Sequence, residues 1–178
     1  MACAGALACR AGACVDPVTA LVAGQSHACA LRASGTVDCW GENAQGQLGN
    51  GTTTRSTTPV RVMTTDRFVA LGAARQTTCG IRGDRTLACW GRGDWGELGD
   101  GTSGRDRRAT TPQAVSGLSD VRAISGGHAH LCAVDGSGNA WCWGDGRFGQ
   151  IGDGATLTRL TPATRVGVSR VSVAPSPI

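Results

Sequence analysis

The 178-residue sequence predicts an all-β, propeller-type repeat protein: three four-stranded blades that form an incomplete, open ring. Three observations carry that expectation. One block recurs three times in register, with Trp40 and Trp90 50 residues apart and Trp90 and Trp143 53 apart. Each copy divides into short apolar runs separated by turn signals rich in Gly, Ser and Asp. No window shows the 3.6-residue apolar period of a helix.

The elements follow in order along the first copy. Val18 to Ala23 is a short apolar run that ends at Gly24. Residues 27–32 and 36–41 form a hairpin across Ala33-Ser34-Gly35, where a three-residue loop wants glycine at its last position. The third copy offers Gly136-Ser137-Gly138 there, and the second has Arg85, so its turn is expected to differ. Residues 58–62 supply a fourth strand with Pro59 at its start, where a missing N–H is tolerable. Both faces of such a unit carry apolar residues: Cys29 and Leu31 on one parity, Ala28, Ala30 and Trp40 on the other. A unit apolar on both faces is covered only when it stacks between neighbours.

Self-alignment divides the chain into a Cys-rich segment at 1–17, repeats at 18–67, 68–120 and 121–170, and a fourth copy or tail at 171–178. Copy two carries three extra residues between Gly99 and Pro112. Trp40, Trp90 and Trp143, with Gly49, Gly99 and Gly152, are the structural positions of the repeat.

The recurring segments His27-x-Cys-Ala-Leu, Gly35-Thr-Val-x-x-Trp-Gly, Asn43-x-x-Gly-Gln-Leu-Gly and Asn50-Gly-Thr resemble the regulator-of-chromosome-condensation repeat family. The resemblance spans residues 18–173 and implies a β-propeller. It further implies an exchange factor for a small GTPase, a photoreceptor scaffold or a general interaction module. The Gly-Trp-Arg-His-Thr run of the photoreceptor relatives is absent, and no exchange motif is matched, so the fold carries over and the activity does not. Three copies fall short of the roughly 4–8 blades that close a ring. The sequence is therefore expected to be part of a longer protein, to assemble with another chain, or to self-associate through open blade edges.

Six of the nine cysteines form pairs of equal spacing: Cys29/Cys39, Cys79/Cys89 and Cys132/Cys142. In a symmetric hairpin each pair lies directly opposite, with Cα atoms roughly 4.5–5.5 Å apart. That lies within disulfide reach. Each bridge would add roughly 2–3 kcal/mol and would persist only in an oxidising compartment. The expected location is therefore extracellular, periplasmic or cell-surface, although no signal peptide is recognised. Cys3, Cys9 and Cys14 precede the repeats, an odd number within their segment.

Composition narrows the function. All 17 basic residues are Arg, and the net charge of +4 is modest and interleaved with acids, which disfavours nucleic acid. No stretch is long and apolar enough to span a bilayer as a helix. Gly91 to Gly96 and Gly144 to Gly149 both read G-x-G-x-x-G, but they sit in β repeats and do not open a helix. Arg-Gly-Asp at 82–84 and 92–94 is accounted for by composition. His128 and His130 are expected to share a strand face, in structural roles. No cofactor, metal or catalytic set is expected. Arg105, Arg107 and Arg108, in the lengthened loop of copy two, are the candidate partner contacts, because an insertion in one repeat maps to a loop on one face. The expected function is a non-catalytic interaction scaffold, secreted or on the cell surface, that binds a protein partner through blade loops. The alternatives are an exchange-factor-like regulator of a small GTPase and a propeller hydrolase or lyase.

Overall fold

The computed structural model describes residues 8–10 and 13–165. Among these there is no helix. A small hairpin comes first, β1 (Ala8–Arg10) and β2 (Ala13–Val15). Three antiparallel four-stranded meanders follow. Blade 1 is β3 (Val18–Ala23), β4 (His27–Arg32), β5 (Val37–Gly41) and β6 (Ser56–Arg61). Blade 2 is β7 (Phe68–Ala73), β8 (Thr77–Arg82), β9 (Leu87–Arg92) and β10 (Arg108–Ala114). Blade 3 is β11 (Val121–Gly126), β12 (His130–Asp135), β13 (Ala140–Gly144) and β14 (Arg159–Arg165). Strand order follows chain order in every blade, so each turn joins neighbours and no crossover is needed. The three sheets do not close on one another. The expected fourth copy at 171–178 lies outside the described residues.

The hairpin register sets Cys29 opposite Cys39, Cys79 opposite Cys89 and Cys132 opposite Cys142. Their Cα atoms are 4.0, 4.0 and 4.1 Å apart, closer than unlinked neighbours, and each sulphur pair is at bonding distance. In the first hairpin Cys9 faces Cys14, while Cys3 lies outside the described residues.

Two sequence expectations need correction. The tip of blade 2 keeps the geometry of the others: Arg85 has φ 68°, against 80° for Gly35 and 78° for Gly138. Its N–H still donates to Arg82 O at 3.0 Å, so the ladder imposes the left-handed conformation on a residue with a Cβ. The prolines do not start the outer strands. Pro59, Pro112 and Pro162 lie inside β6, β10 and β14, at register shifts that leave the ladder unpaired opposite Trp40, Trp90 and Trp143. A missing N–H costs nothing at such a bulge.

The blades stack through a repeated set of bonds. The indole of Trp90 donates to Gln47 O at 3.0 Å, and that of Trp143 to Glu97 O at 2.9 Å. Both tryptophans are fully buried. A Cβ on Gly49 would come within 2.7 Å of the Trp90 indole nitrogen, so the glycine there lets one blade approach the next. Phe68 N donates to Gly35 O and Val121 N to Arg85 O, tying each first strand to the preceding hairpin tip. At the inner rim Gln25 N donates to Arg75 O and Arg75 N to His128 O. Leu31, Leu48, Phe68, Ile81, Leu98 and Leu131 fill the spaces between.

Candidate interaction site

The hairpin tips occupy one end of the blades. At the other end lie the loops that leave β5, β9 and β13: residues 42–55, 93–107 and 145–158. Each begins with the same device. The side chain at the fifth position before Asn50, Asp100 or Asp153 is replaced across copies, yet the Gln or Glu two residues after it always accepts from its backbone N–H. Gln45 N donates to Gln47, Trp95 N to Glu97 and Phe148 N to Gln150, at 2.9, 2.8 and 2.9 Å. A carboxylate thus stands in blade 2 where the other copies use an amide.

The rest of each loop is braced in two ways. In blade 1 the buried amide of Asn43 donates to Asn50, Thr52 and Thr54 and accepts from Leu48 N. Blades 2 and 3 have Gly93 and Gly146 in its place. There an arginine from the far side of the loop does the work: Arg107 pairs with Asp100, and Arg159 pairs with Asp153 at 2.5 Å. Sequence reasoning missed this exchange. Its signal is the joint change of Asn43 to Gly and Asn50 to Asp in the two later copies.

The candidate arginines therefore separate. Arg107 is half-buried in that brace, donates also to Thr102, and accepts from Gly93 N through its carbonyl. Arg108 belongs to β10, opposite Arg92, and is exposed. Arg105 is exposed at the loop tip, beside Asp106 at φ 66°. The loop packs on 92–96, with Gly104 N donating to Asp94 O at 3.3 Å.

A cavity of about 190 Å³ opens between blades 2 and 3 at this end. Arg75 and Gln76 reach it from the inner rim of blade 2, Arg92 from the end of β9, Trp95 and Glu97 from the loop that follows, and His128, Asp145 and Arg147 from blade 3. Arg147 stacks 3.8 Å over the Trp95 ring and holds Asp145 through two bonds of 2.9 Å. Arg92 is paired with Asp94 at 2.7 Å. Arg75 donates to the Gln25 side chain and to His128 Nε2. Glu97 is 2% exposed, and burial pushes its carboxyl up to about 7. Phe148, next to Arg147, is 86% exposed.

His128 and His130 do not share a strand face. His128 lies in the bend before β12, and only His130 is in the strand. No group of residues able to hold a metal ion occurs among the described residues. Both Arg-Gly-Asp runs are engaged internally: Arg82 pairs with Asp66 and Asp84 accepts from Thr86, while Arg92 pairs with Asp94.

Two sequence profiles described as regulator of chromosome condensation (RCC1) repeat match the chain, one over residues 34–81 and 87–134, the other over 18–47 and 121–150. Solved structures agree in fold. Yeast RCC1 (Prp20), crystallised with Kap60, aligns at a TM-score of 0.75 and 23% identity, covering 86% of this chain and 38% of that one. Prp20p from Saccharomyces cerevisiae, whose structure was presented with its binding properties to Gsp1p and histones, aligns at 0.76 and 23%, covering 86% and 39%. Human WBSCR16 aligns at 0.73 and 22%, covering 82% and 37%. The chain thus spans under two fifths of the length of these structures. With two tandem profile matches over most of the three blades, the chain belongs to the regulator of chromosome condensation (RCC1) repeat family.

Proposed function

We propose that this protein is a non-catalytic interaction scaffold of an oxidising compartment, secreted or on the cell surface. It engages a protein partner through the loops of blades 2 and 3. The observation that carries this reading is Phe148, 86% exposed and adjoining the Arg147–Trp95 stack. Exposed aromatic and arginine side chains on a rigid frame are the residue types that anchor protein interfaces. Arg105 at the tip of the neighbouring loop extends the same surface. Three cross-strand disulfides favour an oxidising location, since they would not persist in a reducing one. The yeast relative is described as binding proteins, which favours a protein partner over nucleic acid.

The test is site-specific photo-crosslinking in culture-medium and cell-surface fractions of the source organism. A photoreactive residue at position 148 should yield one discrete adduct that excess unlabelled protein suppresses. The same residue at Ser137, on the hairpin tip at the opposite end of β13, should yield none. Equal adducts from both positions, or none from either, would contradict the proposal.

A further inference from the structure

The three copies provide an internal control for reading the cavity between blades 2 and 3. At the inner rim, Arg75 stands where blade 1 has Gln25. In the loops, Trp95 replaces Gln45 and Glu97 replaces Gln47, while Arg147 of blade 3 takes the place that Asp94 of blade 2 holds in the other gap. None of these changes is needed for stacking, because the indole-to-carbonyl bond and the backbone contact of residue 47 or 97 are the same in both gaps. The departures from the repeat nonetheless converge on one concave site. Residues that break a local pattern together mark function more often than scaffold.

The charges in the site are unequal. Arg92 and Arg147 are each neutralised by an aspartate, Asp94 and Asp145. Arg75 has no carboxylate partner among the described residues; its contacts are the Gln25 amide and the His128 ring nitrogen. A guanidinium carries five N–H donors, and only two of those of Arg75 are bound to protein among the described residues. The planar fork that remains matches a carboxylate, which it can hold through two parallel bonds. Glu97 does not oppose such a ligand with a full charge, since burial keeps its carboxyl partly protonated near neutrality. About 190 Å³ accommodates a side chain and not a large metabolite.

We infer that the cavity between blades 2 and 3 receives the carboxylate side chain of a glutamate or aspartate on the partner protein, with Arg75 as its charge partner and the Trp95–Arg147 stack as its wall. This rests on the interaction-scaffold reading and names the chemistry of its central contact.

The probe is the Nα-acetyl α-amide of glutamate, which carries one carboxylate, titrated into the full chain and followed by the Nε–Hε resonances of arginine and the indole N–H of Trp95. Saturable shifts at Arg75 and Trp95 are expected. The glutamine analogue should bind roughly tenfold more weakly, as for loss of a hydrogen bond to a charged group. R75Q, which installs the residue of blade 1, should cause a loss of the same size, while R122Q, exposed at the hairpin-tip end of blade 3, changes little. Unchanged indole signals of Trp90 and Trp143 in R75Q show that the blades still stack. A capped Ala-Glu-Ala peptide should bind at least about threefold tighter than the free derivative, because the flanking chain gains contacts on the rim. Equal binding of the amide, no saturable shift, or indifference to R75Q would overturn the inference. Tighter binding of the free derivative than of the peptide would overturn the protein source and leave a small-molecule site. A position-148 adduct that survives R75Q at full yield would refute this inference and leave the scaffold reading standing.

Discussion

The two inter-blade gaps are built on one template and finished differently. In the gap between blades 1 and 2, the His27 Nε2–H donates to the Thr78 hydroxyl at 2.8 Å, and that hydroxyl donates to Gln47 O at 3.0 Å. The chain of bonds is buried and neutral, and burial pushes the His27 imidazole down to about 4. In the gap between blades 2 and 3, Thr77 takes the place of His27 and Leu131 that of Thr78, and polar groups instead surround an open cavity. The tryptophan anchors are unchanged. What holds blades together is therefore separable from what their rims present.

The largest effect should come from breaking the shared anchor. Trp90→Ala or Trp143→Ala should each cost about 3–5 kcal/mol in denaturant unfolding, the range for a fully buried large side chain. Trp40 is half-buried, and its indole has no acceptor among the described residues. Trp40→Ala should cost about 1–2 kcal/mol, less in proportion to its burial. Equal losses at all three positions would show that stacking is not what buries the tryptophans.

Next in size is the clip within one blade. Replacing Cys79 and Cys89 together by Ala should lower stability by roughly 2–3 kcal/mol, measured against wild type under non-reducing conditions. Prior reduction should abolish the difference between the two proteins.

Glu97→Gln sharpens the contrast between the gaps, since it gives blade 2 the amide of its neighbours. The Glu97 pKa, about 7, lies above the ordinary value of 4.5, so the native state holds its proton longer than the unfolded chain. The wild type should lose stability from this group as pH rises from about 4.5 through 7. The variant should therefore be more stable at pH 8, by on the order of 2 kcal/mol, and nearly equal at pH 4. His27 acts in the opposite sense. Its contribution is present above 6.5 and lost as pH falls towards about 4, so E97Q should show a stability that only rises with pH across that range. A thermal-melt series from pH 4 to 8 reads both.

The smallest effect belongs to the loop brace. Arg107→Gln should cost no more than about 1 kcal/mol, as expected for a part-exposed ion pair, and should raise hydrogen exchange in 102–106 without touching β9.

The repetitive part of the fold was legible because each feature has a local cause seen three times. Two cysteines flanking a short turn must face each other, and Trp-Gly at the end of the second strand recurs at fixed spacing. Arg85 and the internal prolines were misread because propensity was weighed without the ladder. Strand pairing forces Arg85 to a positive φ, and a bulge opposite each tryptophan removes the need for the proline N–H. Arg107 read as a free cation because its partner, Asp100, approaches it only when the loop closes. The cavity could not be read at all. Arg75, Trp95, His128 and Arg147 lie up to 72 residues apart and meet only when two blades stack.

Hydrogen exchange of the indole N–H groups, followed by NMR on the native protein, tests the stacked-blade arrangement most directly. Trp90 and Trp143 should exchange only through opening of a blade interface, far more slowly than Trp40. Comparable rates for all three would mean that the blades do not pack through these indoles, and the arrangement described would be wrong.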